Sequence, residues 1–256
     1  MTDLTYSYRV LGLLNEWLDA LVRPIVPPRL IALDAQTTRL EFAQHLPHTV
    51  MVGKLVRISS GMHAAFLLSQ HGFVTESGAI LRIVSDLCTE VGAIGHSLNR
   101  GGELPKSVAT FVEQYFTPKA RTPEGYAAAE RTRYVSREDL IKSDISQEAG
   151  GTVDVERTRS LKRFINMAGD AYVHGAYETT MELCEPRTGH FFVSGHPASE
   201  VRDVHLEFAA LKLHEVVVAF ELTAAVTSAA PVFEAARETR REMDTREPWK
   251  LDHRPA

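Results

Sequence analysis

The chain has 256 residues, 44% of them hydrophobic and 24% charged, a length and balance suited to one large core rather than a string of small modules. A formal net charge of -5 at pH 7 excludes the global cationic field that drives nonspecific binding to duplex nucleic acid, so any such contact must be local. Two cysteines, Cys88 and Cys184, exclude a disulfide framework, and the N-terminus carries no basic segment followed by an apolar one, so a cytoplasmic protein is expected.

Helical periodicity dominates and alternating β-type runs are nearly absent, which predicts an all-α protein, a helical bundle with accessory helices. The first helix is predicted over 4–22, stopped by Pro24, with Pro27-Pro28 as a rigid connection. A second is predicted over 35–45, ended by Pro47, so that 1–48 form an N-terminal helical section. The main bundle, 49–243, opens with a helix over 49–70 that is apolar nearly all round, as expected of a helix enclosed by others. Lys54 and Arg57 interrupt this helix, and Lys212, His214, Glu215 and Glu221 interrupt the other long apolar stretch; both therefore read as core helices and not membrane spans.

After His71-Gly72, Thr75 is placed to cap a helix over 76–98 that stops at Asn99-Arg100-Gly101-Gly102. A helix over 107–116 follows, and Ser136-Arg137-Glu138-Asp139 resembles a capping box opening a short helix toward Ser146. Gly150-Gly151 separates it from a long helix predicted over 153–183. Arg187 to Pro197, with glycines flanking an apolar centre, is the one β signal, giving at most one short hairpin near 187–197. Ser199 is placed to cap a helix to about Ser228, Pro231 fits the first turn of a last helix through Met243, and 244–256 lacks periodicity and is expected to be a mobile tail.

The helix over 153–183 carries the densest set of chemical groups. Arg163, Asn166, Asp170 and His174 fall within about 80 degrees of one another on a helical wheel, opposite a broad apolar face. Asp170, four residues before His174, is placed to fix the imidazole tautomer, an arrangement suited to general acid or base chemistry; an ordinary solvated helix face has the same pattern. On the helix over 76–98, Arg82, Asp86 and Glu90 recur at steps of four. Arg57 shares its side of the preceding helix with Gly61, Ala64 and Leu68, and if enclosed there it needs an acidic partner, for which Asp86, Glu90 and Asp170 are candidates. These residues are therefore expected to meet in one cleft, either as a site or as a buried structural ion-pair network.

No metal or cofactor is expected. Asp86 with Glu90, Asp170 with His174, and His214 with Glu221 have permissive but unspecific ligand spacing, and Cys-x-x-Cys, His-Glu-x-x-His and paired Glu-x-x-His patterns are missing. The nucleophile-elbow, Walker and dinucleotide-binding glycine motifs are absent as well. His190, Phe191, Phe192 and His196 have the chemistry to stack on a flat ligand, or to form an apolar turn capping one end of a bundle.

An internal arginine, then Leu81-Arg82 and an acidic residue on the next helix, then Tyr172-Val173-His174-Gly175, make the stretch from about Val50 to Leu183 resemble bacterial all-helical proteins near the HEPN superfamily. In that superfamily an Arg followed four to six residues later by His forms a metal-independent ribonuclease site across a dimer interface. The nearest match is Arg57-Ile58-Ser59-Ser60-Gly61-Met62-His63, which has isoleucine where a polar residue is usual. The resemblance implies that an arginine, here Arg57, stabilises phosphate charge while His174 or His63 moves a ribose hydroxyl proton; Asp170 joins the catalytic candidates through its spacing to His174. Arg82, Asp86, Arg163 and Asn166 are the accompanying substrate-binding candidates. The partner is then RNA or another anionic ligand, held by a homo-oligomer. The alternative is a non-catalytic homodimeric interaction protein in which the same Arg, Asp and His residues form a structural polar network.

Overall fold

The computed structural model describes residues 4–32, 38–99, 101, 103–116, 135, 139–140 and 169–246. Its elements are α1 (Leu4–Val22), β1 (Arg29–Ala32), β2 (Thr38–Glu41), α2 (Pro47–Gln70), α3 (Val74–Asn99), α4 (Lys106–Phe116), α5 (Tyr177–Met181), α6 (Ser199–Val226) and α7 (Ala230–Arg246). The fold is all-α with one short antiparallel hairpin. No helix among the described residues is long and apolar enough to cross a membrane.

The hairpin lies where a second helix was expected. Residues 38–41 are a strand paired with 29–32 in the register Arg29↔Glu41, Leu30↔Leu40, Ile31↔Arg39 and Ala32↔Thr38. The helical reading of 35–45 relied on spaced apolar residues, but four residues alternating across a pleat satisfy the same spacing, and Leu30 and Leu40 stand opposite each other as a cross-strand pair. Pro47 does not end an element; it sits in the first turn of α2, where its missing N–H costs nothing.

In the 187–197 region, β structure is reduced to one bridge, Cys184↔Phe191, closed by Glu185 N–H to His190 O at 2.8 Å and Phe192 N–H to Leu183 O at 2.9 Å. The predicted helix over 153–183 has only its second half, 169–183, among the described residues. There it is interrupted: residues 169–173 are helical, His174 and Gly175 turn, and α5 starts afresh at Tyr177. Gly175 has φ of +60°, a left-handed conformation that ends a helix at little cost only for glycine. The capping-box helix from Ser136 lies outside the described residues apart from 139–140, and of the 244–256 tail the first three residues continue α7 to Arg246. The caps expected from Thr75 and Ser199 do not form: α3 begins at Val74, and the N-cap of α6 is Ala198, with no side-chain cap bond.

Helix α6 packs against α1, α2, α3 and α7, and α2 against α1, α3, α4 and α6. Their shared core includes Leu14 and Trp17 of α1, Leu55, Ile58 and Phe66 of α2, Leu81 and Ile94 of α3, Leu213 and Phe220 of α6, and Ala236 of α7. Each large side chain so enclosed contributes about 1.5–3 kcal/mol relative to exposure. Since α1 joins this core, residues 4–22 pack in the same body as α2, α3, α6 and α7. Helix α2 is not enclosed on all sides: Val56, Arg57, Ser60, His63 and Leu67 form an exposed stripe along it.

Two glycines set the approach of 169–173 to α3. A Cβ at Gly78 would run into the Tyr172 ring, and one at Gly169 would run into the Arg82 side chain. The loop over 192–198 docks on the α2–α3 turn through His196 N–H to Gly72 O at 2.8 Å, with Phe192 edge-on to the His190 and His196 rings. The His196 bond sets the loop against the α2–α3 turn, while His190 and Phe191 stay exposed.

Candidate functional site

Helix α3 presents Arg82, Asp86 and Glu90 at successive turns, and the surrounding elements bring a partner to each. The Arg82 side chain is 6% exposed and lies between two carboxylates: Nε donates to Asp170 Oδ1 at 2.8 Å and Nη1 pairs with Asp86. One turn on, Lys54 of α2, also nearly enclosed, donates from Nζ to Glu90 Oε2 at 2.5 Å. The Lys54 ammonium also lies 4.8 Å from the Phe111 ring centroid and 5.1 Å from that of Tyr115, in cation–π range of α4. On the flank facing α6, Glu215 accepts from Ser85 Oγ and from Lys212 Nζ, both at 2.9 Å, and Lys212 is buried too.

Burial pushes the Asp86 carboxyl above its ordinary value of 3.8; the Arg82 hydrogen bond and charge oppose this, and the negative charges of Glu90 and Asp170 add to it. A carboxyl whose folded pKa lies above its unfolded one binds its proton more tightly in the native state. Its ionisation therefore costs stability as pH rises through the folded pKa, and that cost is absent below the unfolded value. Asp86→Asn, which keeps an acceptor for Arg82 and cannot ionise, should gain stability relative to wild type as pH rises from about 4 to about 7. Urea unfolding across that range measures the difference, and a difference that does not change with pH removes burial as the cause of the shift.

A further buried group lies beside the stripe. Tyr172 Oη donates to Glu182 Oε1 at 2.9 Å, and burial, reinforced by the Glu182 charge and this bond, holds the phenol well above its ordinary range. His205 Nε2 of α6 lies 3.3 Å from Glu182 Oε2, within ion-pair distance but outside hydrogen-bond alignment, and the buried Nδ1 of the same ring has no partner among the described residues. The Tyr172 and His205 rings meet edge to face at 5.9 Å.

The candidates from the sequence divide clearly. Arg82, Asp86 and Asp170 come together, the first two at the expected four-residue step, while Asp170, expected beside His174 and as a partner for Arg57, is bonded to Arg82. Arg57 does not join them: it is exposed at the rim of α2, so its guanidinium is hydrated and needs no buried acid, and the polar side chain that enters the α2–α3 seam is Lys54, one turn earlier. His63 is exposed, with Nε2 3.2 Å from Asn15 Oδ1 of α1. His174 is exposed at the helix break, where its N–H donates to Asp170 O at 3.0 Å. Arg163 and Asn166 lie outside the described residues. His214 and Glu221 do not share a partner, since His214 pairs with Asp244 at 2.9 Å and Glu221 with Arg240 at 2.6 Å. Among the described residues no group of three or more His, Cys, Asp or Glu side chains is gathered in a form that could hold a metal ion.

Sequence reasoning missed Lys54, Lys212, Glu182 and His205. For the two lysines a signal existed: each is a cation set in a largely apolar helical run, where enclosure requires an acid nearby. The Glu182–His205 contact spans the break at 174–175 and had no such signal.

Chemically, the enclosed cations are held by acids. Arg82 is shared by Asp86 and Asp170, Lys54 is held by Glu90 and Lys212 by Glu215, so the stripe resembles a set of fixed ion pairs more than a poised acid and base. Comparison with protein-family models, curated proteins and solved structures found no match to the chain.

Proposed function

We propose that the protein is a non-catalytic interaction protein that works as a homodimer, with its Arg82, Asp86 and Asp170 groups serving as a structural polar network. The observation that carries this reading is the state of Arg82: a guanidinium 6% exposed and bonded to two carboxylates locks 169–173 to α3 and is not presented to a substrate. The dimer surface in this reading is the open stripe of α2 with its neighbour on α3, where Val56, Leu67 and Ile83 are 45%, 56% and 45% exposed.

One observation favours ribonuclease activity as a second reading. Arg57 and His63, the pair with the spacing of the HEPN resemblance, lie on the two edges of that same exposed stripe, so a second copy seated there would bring two such pairs together. Both readings therefore require the same dimer and differ in chemistry.

Light scattering on eluted protein and incubation with total RNA and a defined tRNA separate them. A dimer that becomes a monomer in Leu67→Glu, with no RNA cleavage beyond that of Arg57→Ala and His63→Ala, is the expected result. Cleavage lost in either alanine variant moves the assignment to the ribonuclease, and a wild-type monomer defeats both.

A further inference from the structure

Where α7 crosses α6 and the C-terminal end of α3, a cavity of about 520 Å³ opens, within the size range of small-molecule sites. Its wall combines an apolar side from Leu222, Ala225 and Phe233 with a polar side from Asn99, His214 and Arg237. The charges around it are unequally matched. Glu221, the acid in the wall, is taken in bidentate fashion by Arg240, with Nε to Oε2 at 2.6 Å and Nη2 to Oε1 at 3.2 Å. His214 is turned to Asp244 at 2.9 Å. Arg237 has no carboxylate partner among the described residues; its guanidinium lies 5.8 Å from the centroid of Phe233, one turn back on α7. Glu221 and Asp244 are thus engaged by Arg240 and His214, while Glu234 and Glu238 beside Arg237 on α7 are exposed and not within ion-pair distance of it; the half-buried guanidinium offers the wall a planar fork that suits a carboxylate or phosphate.

We propose that this cavity binds a small organic anion, a compound with one carboxylate or phosphate head on a flat apolar body. The head pairs with Arg237, and the body lies against Phe233, Leu222 and Ala225. A metal cation is disfavoured because Glu221 already has its counter-charge, and a neutral apolar ligand because it would strip water from Arg237 without replacing it. The site is separate from the α3 stripe and does not depend on whether the protein cleaves RNA.

Titration calorimetry on the full chain with benzoate, phenyl phosphate, inorganic phosphate and benzyl alcohol tests the proposal. One or both aromatic anions should bind, and which of them binds identifies the head group. Benzyl alcohol, which lacks the charge, and inorganic phosphate, which lacks the body, should bind at least about tenfold more weakly, the scale of one hydrogen-bonded charge contact. Arg237→Gln should weaken the aromatic anion at least about tenfold with the melting temperature little changed, since no ion pair is lost and only the contact with the Phe233 ring goes, and Ala225→Phe should block it by filling the cavity. Failure of both aromatic anions to bind at millimolar concentration, benzyl alcohol binding as well as benzoate, or unaltered binding by Arg237→Gln each overturns the assignment. The comparison of charged and neutral probes on wild-type protein stands even if a variant misfolds.

Discussion

Arg82→Ala should lower the unfolding free energy by about 3 kcal/mol, the low end of the cost of breaking a buried ion pair from one side. The low end applies because the two carboxylates left behind are 34% and 49% exposed and regain water once the guanidinium is gone. The cost has a definite location. Arg82 is the group that ties 169–173 to α3, and Gly169 presses directly on its aliphatic stem, so the alanine also leaves a gap under that turn. Limited proteolysis of the variant should therefore begin within 169–181 before the rest of the bundle opens. Asp170→Asn keeps the packing and removes a half-exposed charge, and should cost about 1 kcal/mol or less. Urea unfolding checks both values. An Arg82→Ala variant within about 0.5 kcal/mol of wild type, the usual span of surface substitutions, would remove the basis for a structural network.

The same group shows what the sequence made legible. Arg82 with Asp86 was recoverable from a four-residue step on α3, whereas Asp170 was expected beside His174 and as the acid for Arg57, and only the close approach of 169–173 to α3 gives it to Arg82. Arg57 misled for a physical reason. The small residues beside it, notably Gly61, suggest enclosure, and Gly61 is indeed pressed against α3, since a Cβ there would meet Val84. That close approach brings the helices together and leaves Arg57 at the rim of the seam, where its long side chain reaches water. Helix ends were legible where proline or glycine marked them, as in α1, which spans Leu4–Val22 as predicted.

Elements failed where the pattern was ambiguous by nature. A few residues of mixed polarity around Thr38–Glu41 fit a strand or a helix equally, and pairing with 29–32 decides between them, a long-range fact absent from any local window. The break at His174–Gly175 was visible as a glycine, but a single glycine inside a helical run is tolerated as often as it ends one. Its consequence for the site is large. By ending the helix there, it leaves His174 at the surface and sets Glu182, on the far side of the break, against Tyr172 and His205.

The pair Lys54–Glu90 should show the strongest coupling among the described ion pairs. Lys54→Met removes a cation of which 8% of the side chain is exposed and leaves Glu90, itself 23% exposed, without its counter-charge; the expected loss is about 3 kcal/mol. Glu90→Gln leaves a buried ammonium with the Phe111 and Tyr115 rings and a neutral amide, which offset less of its desolvation, and should cost about 3 kcal/mol as well. The double variant has no buried charge at this point and a methionine of similar length among aromatic rings, so its stability should return to within about 1 kcal/mol of wild type. A spectroscopic sign accompanies the energy. The Tyr115 phenol is held above its ordinary value first by burial and then by the Glu90 charge, so Glu90→Gln should move its titration downward, read from phenolate absorbance. Additive losses in the double variant, with Tyr115 titrating as in wild type, would show that Lys54 and Glu90 do not act on each other and that aromatic packing alone holds α2, α3 and α4 together at this point.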